Sequence, residues 1–338
     1  MLLKENSNLD LNNKPLHFTD LNINDPRDNE ILIKVSVCGV CHTELDQIEG
    51  RIKPSFLPVI LGHQIIGNVF KTGPKTTKFS PGDRVGVAWI NSVCGKCGYC
   101  KNGMENLCSS FKATGKDSNG GYAEYHLADE NFAFHIPKSI DDTSAAPLLC
   151  AGSIGYRSLN LTGARDGDSI GLMGFGASGH IVIKLIREIF PKSKVYVFSR
   201  NSTERDFSLS LGAVWAGKIE EKCPKDLNVI IDTTPAWKPV IESLKNLKPS
   251  GRLVINAIRK DSSDLSYFNT LDYTKHLWME KEIKSVTNIT RQDILSFLKF
   301  ADKLNIKPLV HQYNLKNAND ALIDLKFGKK AGAKILII

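Results

Sequence analysis

A strand–turn–helix pattern in the middle of the chain restricts its fold more than any other segment. It occupies 169–190 and reads SIGLMGFGASGHIVIKLIREIF, with an apolar run before the glycine-rich turn and apolar residues at helical spacing after it. The later segments KVYVFSR, LNVIIDTTP and GRLVINAI are apolar strands bounded by turn residues. Strands that alternate with helices predict a doubly wound α/β fold, a parallel sheet covered by helices on both faces.

The turn GFGASG places Gly174, Gly176 and Gly179 at the spacing G-x-G-x-x-G, between a predicted strand and a predicted helix. Glycines there permit a tight turn and a close approach of the backbone to a pyrophosphate group. The first N–H groups of the helix, at its positive dipole end, attract phosphates. The pattern therefore predicts a dinucleotide-binding site, against the simpler interpretation of a tight glycine turn alone.

The residues after the second strand distinguish the two nicotinamide cofactors. An acidic side chain about 20 residues beyond the glycine motif holds the ribose 2′-hydroxyl of NAD. The strand VYVF ends instead in Ser199, Arg200 and Asn201, with no carboxylate. Because a hydroxyl and a guanidinium suit a 2′-phosphate, we predict NADP, bound by Ser199 and Arg200. NAD is the alternative cofactor, with Arg200 as a solvated loop residue.

A run of four cysteines, CGKCGYCKNGMENLC, contains Cys94, Cys97, Cys100 and Cys108. The short gaps turn successive thiolates towards one centre, and the longer loop before Cys108 brings in the fourth. Four thiolates in a tetrahedron form a closed, structural zinc site. The alternatives are unrelated surface thiols and an iron–sulfur cluster, although the run lacks the ferredoxin spacing and a proline after its last cysteine.

Length and charge limit the classes of protein. A chain of 338 residues suits two domains better than one core. The net charge of +8 comes from scattered lysines without arginine–aromatic interleaving, so no nucleic-acid partner is predicted. No apolar run approaches the ~18 residues of a membrane span, and the start MLLKENSNLD lacks the apolar core of a signal peptide. We therefore expect a cytoplasmic protein without a membrane partner.

The character of the sequence changes at about residue 150 and again at about residue 290. The first stretch is rich in glycine, proline and short β-like runs without a long periodic helix, which indicates a mainly β domain. The strand–helix alternation follows it. The last stretch contains two amphipathic helices, DILSFLKFADKL and NANDALIDLKFGK, and a closing strand, KILII.

Three further motifs contain cysteine or histidine, namely CGVCHTELD at 38–46, GHQ at 62–64 and LLCAG at 148–152. Their order, with GDRVGV, GGYAEY, AAPLLCAG, GFGASGH and SVTNITRQD, resembles the zinc-dependent medium-chain alcohol dehydrogenases over nearly the whole chain. The resemblance is greatest to the cinnamyl-alcohol-dehydrogenase-like branch.

The resemblance implies a division of the chain into two domains. A Rossmann coenzyme domain would occupy 151–289. A β-rich, GroES-like catalytic domain would comprise 1–150 and 290–338, with a structural zinc lobe at 91–109.

The resemblance also implies a catalytic zinc held by Cys41, His63 and Cys150, and hence two zinc ions per chain. The family ligand set of two cysteines and one histidine leaves the fourth position open. Cys38 is the rival to Cys41. Gln64 stands where the family usually has a glutamate; a glutamine keeps the charge of the site near neutral and offers a carbonyl oxygen as a weak ligand.

Residues beside Cys41 match other positions of the family's site. Thr43 matches the hydroxyl that contacts the substrate oxygen and starts a proton relay, and His42 matches a basic position near the cofactor pyrophosphate. Glu44 matches a carboxylate that orients the ligating histidine. Asp46 stands where the family often ends the relay with a histidine, so either Asp46 takes the proton or the proton leaves through water.

The implied activity is hydride transfer between a primary alcohol, or its aldehyde, and NADP(H), with zinc as the Lewis acid. The apolar pocket candidates Phe56, Leu57 and Trp89 favour such a substrate. The alternatives are a polyol or sugar dehydrogenase of the same superfamily, a quinone-reductase-like member without catalytic zinc, and a non-catalytic zinc- or nucleotide-binding protein. A homodimer or homotetramer is also implied by the resemblance.

Overall fold

The computed structural model describes residues 1–328 and 332–338. It divides the chain into two compact units: unit 1 comprises Met1–Ser153 and Asn288–Ile338, and unit 2 comprises Ile154–Thr287. Unit 2 therefore interrupts unit 1 in the sequence. Among the described residues, no helix combines the length and the apolar character needed to cross a membrane.

The first segment of unit 1 consists mainly of strands. These are β1 Leu2–Leu3, β2 Leu16–His17, β3 Glu30–Val40, β4 Val59–Ile60, β5 Ile65–Thr72, β6 Arg84–Val87, β7 Ile90–Ser92, β8 Lys112–Ala113, β9 Tyr125–Asp129 and β10 Ala133–His135. Its helices are α1 His42–Ile48, α2 Gly98–Lys101 and α3 Asp142–Pro147, and a π-helical turn, Leu148–Gly152, follows α3. The predominance of strands confirms the predicted β-rich character.

Unit 2 alternates strands and helices. Its elements are α4 Ser153–Thr162, β11 Ser169–Met173, α5 Ala177–Ile189, β12 Lys194–Phe198, α6 Ser202–Ser210, β13 Trp215–Gly217, β14 Leu227–Asp232, α7 Lys238–Asn246, β15 Leu247–Ile255, α8 Tyr273–His276 and β16 Glu282–Ser285. Helix α4 begins at the last residue of the first segment of unit 1. All strand pairs are parallel, in the order β13–β12–β11–β14–β15–β16, which confirms the predicted doubly wound sheet. Strand β14 is an almost continuous apolar run because both of its faces are buried.

The second segment of unit 1 contributes α9 Arg291–Lys303, β17 Val310–Asn314, α10 Ala318–Phe327 and β18 Ala333–Ile337. Strand β18 lies between β17 and β3 in a sheet of order β10–β6–β5–β3–β18–β17, and β9 also pairs with β3. The first half of β3 pairs with β9 and its last residues pair with β18.

The pairing of β3 with β5 positions two of the predicted site residues. Ile31, Ile33 and Ile65 on these strands are fully buried, so apolar burial fixes the register. The strands are antiparallel, with Cys38 opposite Ile65. The chain that leaves β3 therefore runs beside the chain that enters β5.

Candidate active site

Four cysteines around α2 form the first cluster of potential metal ligands. The sulfur atoms of Cys94, Cys97, Cys100 and Cys108 all lie within 4.8 Å of one another. The backbone N–H of Cys97 donates to the Cys94 sulfur at 3.4 Å. Hydrogen bonds from the backbone N–H groups of Lys96, the larger cause, and of Cys97 lower the pKa of Cys94 to about 6. Four sulfur donors suit a closed tetrahedral zinc site.

A buried carboxylate attaches this four-cysteine lobe to α9. Glu105 is 6% exposed and accepts hydrogen bonds from the Arg291 backbone N–H at 2.7 Å and from the Arg291 guanidinium at 2.6, 3.0 and 3.1 Å. Burial raises the pKa of Glu105, but the bonds from Arg291 outweigh burial and lower it. The guanidinium also lies 4.7 Å from the centre of the Phe132 ring. The lobe is thus held to the second segment of unit 1 by one fork-shaped ion pair.

The second cluster joins residues that are far apart in the sequence. The sulfur atoms of Cys41 and Cys150 and a ring nitrogen of His63 lie within 4.8 Å of one another. The Cys41 sulfur is 3.7 Å from His63 Nε2. Cys41 caps α1, His63 precedes β5, and Cys150 lies in the π-helical turn. Three elements of unit 1 therefore supply one potential ligand each.

Two glycines allow the backbone near this cluster to pack closely. Gly62 has a φ of 97°, and a Cβ added there would lie 2.4 Å from the Tyr122 ring. A Cβ added at Gly152 would lie 2.3 Å from the Phe297 ring. A larger side chain at either position would displace the segment that carries His63 or Cys150.

Glu44 contacts two of the three potential ligands. Its fully buried carboxylate places Oε1 2.5 Å from His63 Nδ1, and its Oε2 accepts a hydrogen bond from the Cys41 N–H at 2.8 Å. Burial alone would lower the pKa of His63, but the charges of Glu44 and Cys41 raise it to about 10. A carboxylate on Nδ1 leaves Nε2 directed at the cluster, which is the arrangement of a metal-binding histidine.

The residues next to Cys41 occupy the first turn of α1. Thr43 is half-buried, and its backbone N–H donates to the Cys41 sulfur at 3.3 Å. His42 begins the helix and is exposed. Asp46 is 5% exposed and accepts a hydrogen bond from Arg51 Nε at 2.6 Å. The Asp46 carboxylate therefore already has a cationic partner.

Two further predicted residues lie beside His63. Gln64 is 3% exposed, and its side-chain oxygen lies against Gly39, where an added Cβ would be 2.5 Å away. Trp89 is buried, with its ring perpendicular to the His63 ring at 4.9 Å between centres. Phe56 and Leu57 are 41% and 39% exposed. Of the three apolar candidates for the pocket, the structure therefore places Trp89 in contact with the cluster.

In unit 2 the glycine turn joins β11 to α5. Gly174 has a φ of 85°, and an added Cβ would be 2.8 Å from Thr233 Oγ1. Gly176 is the N-cap of α5, with nothing within 4 Å of an added Cβ, and Gly179 packs against the Gly174 carbonyl. The space beside Gly176 thus lies at the start of α5, where the first N–H groups of a helix attract phosphate.

At the end of β12, Ser199 is buried and Arg200 is exposed. The Ser199 hydroxyl is 2.5 Å from Glu204 Oε2. The structure therefore brings a carboxylate next to one of the two residues predicted to bind the 2′-phosphate.

The family follows from comparison with known proteins. The model of the alcohol dehydrogenase GroES-like domain matches residues 27–138. AdhA, a probable alcohol dehydrogenase of Mycobacterium tuberculosis, is 38% identical over 329 residues, which cover 96% of this chain and 93% of that protein. The chain belongs to the zinc-dependent medium-chain alcohol dehydrogenase family. The predicted family and the predicted oxidoreductase activity are confirmed.

Solved structures confirm the fold of this alcohol dehydrogenase. A cinnamyl alcohol dehydrogenase from Sorghum bicolor is 25% identical with a TM-score of 0.81, and the match covers 94% of this chain and 92% of that one. The CAD of Helicobacter pylori, complexed with NADP(H), is 24% identical with a TM-score of 0.80, covering 92% and 91%. The predicted combination of a GroES-like domain and a Rossmann sheet is therefore correct.

The alcohol dehydrogenase sequence contained signals for two features that reasoning from the sequence missed. Glu204 follows the helix N-cap Asn201 by three positions, a spacing that places a carboxylate back over the helix start. Glu105 stands between two cysteines of a metal-site run, where a charged residue needs a partner if it is buried. Neither spacing reveals which residue the carboxylate meets.

Proposed function

We propose that this alcohol dehydrogenase transfers hydride between a primary alcohol, or its aldehyde, and NADP(H), with unit 1 as the catalytic domain and unit 2 as the coenzyme domain. The observation that carries the proposal is the cluster of Cys41, His63 and Cys150. Two sulfurs and one imidazole nitrogen suit zinc and leave its fourth position open, whereas the four-cysteine lobe suits a closed structural zinc. Zinc in the open cluster supplies a Lewis acid, and the nicotinamide supplies or accepts the hydride.

The chain's own residues hold the ligands and move the proton. Glu44 fixes the ring of His63 through Nδ1 and the backbone of Cys41 through its N–H. We assign the Thr43 hydroxyl, in the first turn of α1, to the first proton transfer from the alcohol. Asp46 is the next acceptor in the assignment, and its carboxylate already accepts a hydrogen bond from Arg51. His42, exposed at the start of the helix, is assigned to the cofactor pyrophosphate.

In the coenzyme unit we assign the pyrophosphate to the glycine turn and the first turn of α5. Support comes from the open space above Gly176 and from the close packing of Gly174 and Gly179. Ser199 and Arg200 are assigned to the adenosine ribose and its 2′-phosphate. The order of parallel strands supports this assignment, because dinucleotides bind at the carboxyl ends of such strands.

Gln64 is assigned a role in tuning the charge of the zinc cluster. Two thiolates and a neutral imidazole balance the charge of Zn²⁺, and a neutral amide beside them keeps that balance. The Gln64→Glu variant adds a negative charge, so we expect a higher apparent pKa for alcohol oxidation in its pH–rate profile. An unchanged profile would show that Gln64 does not tune the site.

We also propose a homo-oligomer, either a dimer or a tetramer, and a cytoplasmic location. Strand β16 supports the first, because this edge strand of unit 2 has all four residues exposed and is accompanied by the exposed side chains of Tyr273 and Trp278. Cysteines clustered as potential metal ligands support the second. Sedimentation and cell fractionation test the two statements.

The experiment that tests the activity combines metal analysis with a substrate panel. The purified enzyme is expected to hold two zinc ions per chain, as the two clusters predict. With NADPH and NADH, aromatic and aliphatic aldehydes are expected to turn over faster than sugars or polyols, because Trp89 lines the cluster with an apolar ring. One zinc per chain, bound by the lobe, or turnover of polyols alone would overturn the proposal.

A further inference from the structure

Ser199 directly follows β12 of unit 2, and its hydroxyl is not free to bind a phosphate. Ser199 is 2% exposed, and its hydroxyl is 2.5 Å from Glu204 Oε2. The Ser199 hydroxyl oxygen itself accepts a hydrogen bond from the Asn201 backbone N–H at 3.1 Å. A serine hydroxyl has one hydrogen to donate, and a carboxylate can only accept. The hydrogen of Ser199 is therefore committed to Glu204.

The position of Glu204 gives this contact its consequence for the cofactor. In a doubly wound sheet the adenosine ribose lies at the end of the second strand, where a carboxylate accepts a hydrogen bond from the 2′-hydroxyl of NAD. Here the second strand is β12, and Glu204 approaches its end from the first turn of α6. The N-cap Asn201 fixes that turn by accepting from the Thr203 N–H at 2.9 Å. The structure thus supplies the acid that the strand end itself lacks.

Two arginines near Ser199 could offset the negative charge of Glu204, but they differ in how available they are to a phosphate. Arg205 donates to the Ser199 carbonyl at 2.7 Å and is thereby held on the backbone. Arg200 is exposed and follows Ser199 directly. A 2′-phosphate would be attracted by the positive charge of Arg200 and repelled by the negative charge of Glu204. A 2′-hydroxyl could instead donate a hydrogen bond to Glu204 without repulsion.

We infer that Glu204 is a specificity-determining residue that weakens the preference of this enzyme for NADP(H) over NAD(H) by occupying Ser199 at the adenosine ribose. This inference rests on the proposed function, since it concerns the same coenzyme site. To bind the 2′-phosphate, the site must release the Ser199 hydroxyl from Glu204. Arg200 favours NADP(H), and Glu204 favours NAD(H).

The test is calorimetric titration of the zinc-loaded enzyme with NADPH and with NADH, without substrate. We expect the wild type to bind both, with dissociation constants within about tenfold of each other. The Glu204→Gln variant, which keeps an acceptor for Ser199 but removes the charge, is expected to shift the affinity ratio towards NADPH by about tenfold. The Arg200→Ala variant is expected to shift the ratio towards NADH.

Asp206→Asn is the matched control, since Asp206 is an exposed carboxylate on the same helix. It removes the same charge away from Ser199 and is expected to change the ratio by less than about twofold. Glu204→Ala is a second variant and should shift the ratio in the same direction as Glu204→Gln. An unchanged ratio in both Glu204 variants, or an equal shift in Asp206→Asn, overturns the role of Glu204. Wild-type enzyme that binds neither cofactor overturns the proposed function itself.

Discussion

The two metal-ligand clusters of unit 1 differ in how the chain builds them. The four cysteines of the lobe lie within 94–108, and three of them are partly exposed. Cys41, His63 and Cys150 come from three separate elements, and His63 is 1% exposed. A short loop brings local ligands together at a small entropic cost, whereas distant ligands meet only after the strands have paired. Four sulfurs leave no open position on a zinc ion, whereas two sulfurs and one imidazole leave one, so we expect metal in the lobe to stabilise the fold and metal in the second cluster to serve the reaction.

The largest expected effect comes from removing one ligand of each cluster. Cys150→Ser should lower turnover by about a thousandfold or more, because the Lewis acid contributes several kcal/mol to the reaction. Cys108→Ser should instead lower the melting temperature, because a structural zinc contributes free energy of folding. Each variant should lose one zinc per chain in elemental analysis.

The control for both ligand variants is Cys223→Ser, which removes a buried thiol of unit 2 that belongs to neither cluster. It should keep both metals. Full zinc content in Cys150→Ser, or equal losses of activity and melting temperature in the two ligand variants, would contradict the division between the clusters.

A smaller effect is expected when the lobe loses its attachment to α9. Glu105→Gln breaks the ion pair with Arg291, and we expect a loss of about 2 kcal/mol in the free energy of unfolding. The value is below that of a fully buried pair because the Arg291 side chain is 36% exposed. A chelator should then remove zinc from the lobe of Glu105→Gln faster than from the lobe of the wild type, as followed by a colorimetric zinc indicator.

Asp25→Asn provides the comparison, because Asp25 and Lys71 form an ion pair that is 78% and 51% exposed. Its cost should be below about 0.5 kcal/mol, with unchanged zinc release. If Glu105→Gln costs no more than this surface variant, the lobe does not depend on Arg291.

The smallest expected effect is a difference in thiol reactivity between the clusters of the metal-free protein. The pKa of Cys94 is lowered to about 6, so its thiolate is present at pH 7 and is lost as the pH falls through about 6. The hydrogen bond with Cys150, together with burial, raises the pKa of Cys41 well above its ordinary value of 9.0. Alkylation by iodoacetamide, mapped by mass spectrometry, should therefore label Cys94 at pH 7 and leave Cys41 unmodified. Equal labelling at that pH would show that the clusters are not chemically distinct.

The same contrast explains how much of the site the sequence could predict. The lobe follows from spacing alone, because its ligands are neighbours in the chain. The set of Cys41, His63 and Cys150 required the family resemblance, because no spacing rule links a strand end, a loop and a π-helical turn. Glu204 was missed because its contact with Ser199 depends on where α6 begins.

The same physical limits determined which strands could be recognised from the sequence. Buried strands such as β11 and β14 were recognised from their apolar runs, whereas β16, with the sequence EIKS, was not, because an exposed edge strand has no buried face to impose a pattern. The start of β15 at Leu247 was also missed, since Lys248, Pro249 and Ser250 interrupt its apolar residues.

The place of β18 in the sheet has a consequence for biosynthesis. This strand pairs with Val37–Val40 of β3, but the ribosome makes it only after all of unit 2. Unit 2 is continuous and can fold as soon as Thr287 has left the exit tunnel, since domains fold as units during translation. Until β18 arrives, the apolar end of β3 has an open edge, the kind of surface that chaperones shield from aggregation. We therefore expect unit 2 of the nascent chain to become resistant to protease before unit 1 does.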